Sequence, residues 1–278
     1  MIIDAHQHYW DGNKFFYSWL TPEVGVCYRN FVPEDLKGQL AESGVKYTVA
    51  VQARSEVAET EWLLDMADEN EFLAGIVGWV DLQSDEIDKT LDELVKRPKF
   101  VGVRHQVEDE KNREWILQES VINGLKSVAA HGLAYDALMK HDQLWQLEKV
   151  CKECPNLRIV IDHCSKPNIK DDEFDEWAEH LRAAAKLPVY CKISGLLTEA
   201  GADTWTVEKV KKYTDFIIEI FGADRLMIGS DWPVSLPAAS HCETINVIKE
   251  LISDLPEEDQ QKILYKNAAA FYKLNAKE

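Results

Sequence analysis

Short, near-continuous apolar runs rich in Val and Ile alternate along this chain with longer amphipathic stretches. The runs are Ile2–His8, Tyr47–Ala53, Ala74–Val80, Phe100–Gln106, Leu133–Leu138, Arg158–Cys164, Val189–Leu196 and Arg225–Trp232. Strands covered on both faces need this composition, and the lengths suit strands better than buried helices. The stretches between them read as helices. Pro33 followed by Glu34 and Asp35 opens one with a suitable first turn. Glu56–Glu71 carries Trp62, Leu63, Met66 and Ala67 on one stripe, and Ser84 is placed to cap Asp85–Lys96. Asn112–His131, His141–Glu153, Asp171–Lys186 and Thr206–Phe221 follow, and the tail, His241–Ser253 and Pro256–Leu274, is helical with no strand after it. Eight repeats without a Ser/Gly/Pro-rich break predict one α/β domain over residues 1–278, a (β/α)8 TIM barrel with C-terminal helices. An open doubly wound sheet is disfavoured, since no G-x-G-x-x-G or G-x-x-x-x-G-K-[ST] follows any strand.

The length of 278 residues suits a barrel, which typically takes about 250. Against 31 basic side chains stand 49 acidic ones, a formal charge of −18. That balance excludes nucleic acid and anionic membrane surfaces as partners, because both select a positive footprint. Neither a membrane-length apolar run nor a charged-then-apolar leader is seen, so the expected compartment is the cytoplasm. The six cysteines are scattered, and Cys151-x-x-Cys154 lacks the second pair of a zinc knuckle, so these read as thiols in a reducing environment. A homo-oligomer is compatible with the sequence, but no stretch marks an interface.

A barrel collects its chemistry at the C-terminal ends of the strands. There the sequence places His6 and His8, Gln52, Arg104 and His105, Asp162 and His163, Lys192 and Ser194, and Asp231. In a regular strand His6 and His8 share a face. Each residue alone has an ordinary structural explanation; several strands delivering His, His, His and Asp to one mouth do not. Two readings follow. His6, His8 and either His163 or Asp231 hold one divalent cation such as Zn²⁺. Alternatively no metal is obligatory: Asp231 is the base for a water, and His6, His8, His105 and His163 stabilise the carbonyl oxygen as charge develops. Gln52, Arg104 and Lys192 are then candidates to bind an anionic or polyhydroxylated substrate. Trp10 and Trp232 are candidates to line its pocket, and residues 15–29 to form a lid.

The motifs D-A-H-Q-H-x-W at Asp4, V-Q-A at Val51, E-T-E-W-L-L at Glu59 and G-W-V-D-L at Gly78 occur in that order. G-V-R-H at Gly102, D-H-C-x-K-P at Asp162, C-K-I-S-G-L at Cys191, G-S-D-W-P-V at Gly229 and N-A-x-x-F-Y at Asn267 continue the series. Together they resemble the amidohydrolase superfamily, in particular the amidohydrolase 2 branch that contains sugar-lactone hydrolases. The resemblance implies a distorted (β/α)8 barrel that opens a cyclic ester, with Asp231 activating water and His6, His8 and His163 at the matching strand ends. Binuclear members of the superfamily carry a Lys or Glu after strand four and a His after strand five. His105 and the pair Tyr135–Asp136 stand there instead, which argues against two metals. Some members of the branch work without an obligatory metal, so the expectation is metal-independent turnover at a site able to bind one Zn²⁺. A metal-dependent decarboxylase of an aromatic acid is the alternative on the same barrel.

Overall fold

The structure, a computed structural model, describes residues 1–277; residue 278, the last of the expected domain, lies outside them. Eight strands pair in parallel in sequence order. They are β1 Ile3–Gln7, β2 Tyr47–Val51, β3 Leu73–Gly78, β4 Phe100–Gln106, β5 Ala134–Leu138, β6 Arg158–Ile161, β7 Val189–Ile193 and β8 Leu226–Ile228. Helices α1 Pro33–Ser43, α2 Val57–Glu69, α3 Ile87–Leu94, α4 Glu119–Ala130, α5 Leu147–Glu153 and α6 Asp175–Ala184 follow the first six strands. After β7 come α7 Leu196–Glu199 and α8 Val207–Phe221, and after β8 come α9 His241–Leu251, α10 Glu257–Gln261 and α11 Asn267–Tyr272.

The sheet forms a nearly closed, distorted (β/α)8 barrel whose seam lies between β8 and β1. Backbone hydrogen bonds join these strands past the end of β8, where Asp231 N donates to His6 O at 2.8 Å and His8 N donates to Trp232 O at 2.7 Å. A side chain completes the seam. The Asp4 carboxylate accepts from Ser230 N at 2.8 Å and Ser230 Oγ at 2.6 Å, and lies 3.1 Å from His241 Nε2 of α9.

Alternation divides the apolar residues into two layers. Val49, Val51, Val77, Val101 and Val160 fill the barrel interior, while Ala50, Ile76, Val103 and Ile161 pack outward against the helices. The C-terminal segment closes the N-terminal end of the barrel: Ala268, Phe271 and Tyr272 of α11 join the interior layer. Strand β1 departs from regular alternation. Its pairing with β2 shifts register between Asp4 and Gln7. Ile3 and Ala5 belong to the interior layer, Asp4 faces outward to α9, and His6 beyond them faces inward again. Plain alternation would group the histidines with Asp4; the bulge turns them into the barrel.

Some expected boundaries move. The run Arg158–Cys164 leaves the sheet at Ile161, because His163, Cys164, Ser165 and Lys166 have φ of 51°, 49°, 59° and 52°. Asn112–His131 is divided by Gln118, which is extended (ψ 141°) between a short 3-10 turn and α4. Ser84 Oγ accepts from Glu86 N in the turn before α3, so that helix starts later than expected. Thr206, the first residue of the expected Thr206–Phe221 helix, caps α8 through Lys209 N.

Candidate active site

At the C-terminal mouth of the barrel, three imidazoles surround one carboxylate. Asp231 Oδ1 lies 3.3 Å from His8 Nε2, 3.9 Å from His6 Nε2 and 3.9 Å from His163 Nε2. The two strand-one rings approach each other, His6 Nε2 to His8 Nε2, at 3.1 Å. All four side chains are buried. Asp231 takes a left-handed φ of 57°, which Asp tolerates better than most residues. His163 is presented by the four-residue left-handed turn, a conformation costing about 1–2 kcal/mol per residue. Neighbouring elements hold it in place. Trp177 Nε1 of α6 donates to Cys164 O at 2.8 Å, and Ser165 Oγ donates to Met139 O at 2.6 Å.

Each imidazole has a partner on its far side, which sets what it offers the centre. His8 Nδ1 lies 2.8 Å from Val51 O; a carbonyl only accepts, so Nδ1 carries a proton and donates it there. His163 Nδ1 is 2.9 Å from Ser194 Oγ, which can donate or accept. His6 Nδ1 meets both a donor, Lys192 Nζ at 3.0 Å, and an acceptor, Asp162 Oδ1 at 3.2 Å. His6 can therefore present either an N–H or a lone pair at Nε2, with its far nitrogen satisfied in both tautomers.

Beneath this centre the barrel interior holds an ion network. Lys192 Nζ contacts Asp136 and lies 2.9 Å from Asp162 Oδ1, and Tyr272 Oη donates to both Asp136 oxygens at 2.9 and 2.8 Å. Arg104 lies beside it, with Nη1 3.5 Å from Asp162 Oδ2 and 3.4 Å from His6 Nε2, and Nη2 donating to Gln52 O. Burial pushes the Asp136 carboxyl up to about 6 against the pull of Lys192. Burial also pushes Asp162 upward, but Lys192 and His6 outweigh it and hold that carboxyl well below the usual range. Burial lowers His163 to about 4, and burial together with Lys192 lowers His6. Asp231 is raised by burial and lowered more by the imidazoles, so it stays ionised. Near neutral pH the centre is one carboxylate against neutral His6 and His163.

An open cavity of about 770 Å³ reaches this centre from solvent, with His8 and Arg104 among its lining. Trp10, Trp19, Val24, Val26 and Val234 make its wall largely apolar, and the segment after β1, expected as a lid, supplies much of it. Not all sequence candidates arrive at the centre. Lys192 is fully buried below it, its ammonium committed to Asp136, Asp162 and His6 rather than open to a ligand. Gln52 is buried beside Arg104, its Nε2 3.4 Å from Arg104 O. Trp10 backs the cavity with Nε1 donating to Arg29 O, whereas Trp232 packs edge-on against Tyr9 and Phe31 behind the seam.

His105 points away from the cluster. Its ring stacks on Trp115 at 3.8 Å, Nδ1 accepts from Trp79 Nε1 at 3.1 Å, and Nε2 lies 2.8 Å from Glu110 Oε1. Arg104 and His105 are adjacent on one strand, so only one can face the interior, and Arg104 does. The sequence candidates did not include Asp136, Tyr272 or Asp4. The signal for Asp136 was present: a Lys within the apolar run of β7 needs a buried carboxylate partner, and β5 offers one.

The donor set fits one zinc ion. Tetrahedral zinc with bonds of about 2.0–2.2 Å separates its ligand atoms by roughly 3.4 Å. His6 Nε2, His8 Nε2 and Asp231 Oδ1 are separated by 3.1, 3.3 and 3.9 Å, and all three are buried.

The amidohydrolase family model matches residues 3–274. An L-fucono-1,5-lactonase of Burkholderia ambifaria is 40% identical over 84% of this chain and 80% of its own length. An L-fucono-1,5-lactonase of Burkholderia multivorans is 32% identical over 96% and 94%. A crystal structure of an amidohydrolase from Burkholderia multivorans with bound Zn superposes with a TM-score of 0.90 at 32% identity, covering 99% of both chains.

Proposed function

Because this chain belongs to the amidohydrolase family, we propose that it hydrolyses a sugar lactone of the L-fucono-1,5-lactone class to the aldonic acid. What carries the reading is the convergence of three imidazole Nε2 atoms on Asp231 Oδ1 at the end of an open cavity. Asp231, ionised, takes a proton from water as its oxygen attacks the lactone carbonyl. His163 carries its proton on Nε2 when Ser194 donates to Nδ1, and His6 does when Lys192 donates. Those N–H groups and the Arg104 guanidinium stabilise the tetrahedral oxyanion at the buried end of the cavity. The ring C–O bond then breaks, and the proton held by Asp231 passes to the leaving oxygen. Lys192 acts through His6 and does not touch substrate. The apolar wall built by Trp10, Trp19 and Val24 suits the C–H face of a deoxy sugar ring.

His6, His8 and Asp231 would hold one divalent cation such as Zn²⁺. When bound, it would polarise the lactone carbonyl. The two tautomers open to His6 allow the site to exist with or without the ion, and we propose that turnover does not require it.

The test is acid release from a panel of aldonolactones by chelator-stripped protein, with CO₂ followed in parallel and Zn²⁺ then titrated back. Asp231→Asn should lower turnover by about 10²–10⁴-fold. Its melting temperature should stay near the parent's, since Asn also tolerates a left-handed φ. Near-parental rates in that variant would refute the role of Asp231, and turnover restored only by zinc would make the ion obligatory.

A further inference from the structure

A second group of metal-binding side chains lies away from the barrel mouth, between the turn that follows β5 and helix α6. We infer that His141, Glu176 and His180 form a site for a divalent transition ion of the Zn²⁺ type. One ligand atom from each lies within 4.8 Å of the other two. Glu176 and His180 are one helical turn apart on α6, so both project from one face. His141 opens the 3-10 turn His141–Gln146. Its Nδ1 is 3.0 Å from His180 Nδ1, with ring centroids 5.3 Å apart. Nitrogen ligands bound at about 2.0–2.1 Å sit roughly 2.9–3.4 Å apart, so the spacing of the two Nδ1 atoms matches that of ligands to one ion.

The arrangement is held from behind. Trp177 is buried and bonded to Cys164 O, which fixes the rotation of α6, and Leu144 buries the turn that carries His141. The other nearby carboxylates are engaged elsewhere: Asp142 pairs with Arg113, and Glu173 accepts from Asn168 Nδ2 at 2.9 Å. The Glu176 side chain makes no hydrogen bond or ion pair among the described residues. Two imidazoles and one carboxylate select a borderline transition ion over Mg²⁺ or Ca²⁺, which take oxygen ligands. An ion there would tie the β5 turn to the helix whose Trp177 supports the His163 turn. None of this depends on the lactone reading.

The experiment uses full-length, untagged, metal-stripped protein titrated with Zn²⁺ against a chromogenic chelator. Parent, His180→Ala and Glu176→Gln are compared, with anomalous diffraction at the zinc edge on parent crystals. His180→Ala should lose one equivalent of zinc and Glu176→Gln should weaken that equivalent at least tenfold. Both should melt, metal-free, at the parent's temperature, and a zinc peak should lie between His141 and His180. Equal stoichiometry and affinity in all three proteins, or no peak at that position, would overturn the proposal. Lactone turnover reports separately on the barrel mouth and does not enter the comparison.

Discussion

Single atoms decide whether the histidine centre can exist. Gly229 lies where β8 crosses β1, and a Cβ added there would lie 2.5 Å from His6 Cβ and 3.1 Å from Ser194 Cβ. Neither neighbour can yield freely, because His6 is held by Lys192 and Asp162, and Ser194 by His163. Gly229→Ala should therefore lower kcat/KM by more than tenfold and destabilise the protein by about 1–3 kcal/mol, the usual cost of overpacking. Steady-state kinetics and urea unfolding on one preparation would check both effects, and a parental kcat/KM would show that the His6 position is not critical. The residue scale is also where the sequence was most ambiguous. Arg104 and His105 both looked available, and only the facing of β4 separates an interior guanidinium from an imidazole caged by Trp79, Trp115 and Glu110.

At the scale of an element, the start of α2 shows how a strand end is tied to its helix. Glu59 in the first turn of α2 reaches back to accept from Ala53 N at 3.0 Å and Arg54 N at 2.8 Å. Burial raises its carboxyl to about 7, against those hydrogen bonds and Tyr17. A carboxyl whose folded pKa is raised binds its proton more tightly when folded. Its stability contribution is complete below the unfolded value near 4.5 and is lost as pH rises toward 7. The difference amounts to roughly 3 kcal/mol. Glu59→Gln keeps an acceptor for both N–H groups and removes the titration. Its stability relative to the parent should increase between pH 4.5 and 7, as read by chemical denaturation at several pH values. A constant difference across that range would mean that Glu59 does not titrate there. The bulge in β1 and the left-handed turn after β6 belong to the same scale. Both are local departures from regular structure that aim histidines at one point, as expected where function competes with regularity.

For the whole molecule, the last helix ties the two ends of the barrel together. Phe271 and Tyr272 are buried against the interior valines, and the Tyr272 hydroxyl reaches the Asp136–Lys192 pair beneath the active centre. Tyr272→Phe leaves Asp136 to Lys192 and should cost about 1–3 kcal/mol, with KM unchanged, since no substrate contact is lost. Thermal melts and KM measured together would separate this from a role in binding, where KM would rise. No helix among the described residues is long and apolar enough to cross a membrane.

The sequence by itself determined the eight strands, their order, most helices and the strand ends that bring His6, His8, His163 and Asp231 to one mouth. Those features follow from periodicity, and periodicity is local: each apolar run needs a covered strand wherever it lies in space. The exceptions have physical reasons too. The Arg158–Cys164 run carries no Gly or Pro past the end of β6, so composition could not show that its backbone turns left-handed at His163. Likewise the facing of His6 depends on a register shift against β2, a property of two strands and not of one. Only tertiary structure decided that Lys192 lies under the site, that Asp136 answers it and that Tyr272 comes from the far end of the chain. Buried charges are placed by partners distant in sequence, and no local pattern records which partner will arrive.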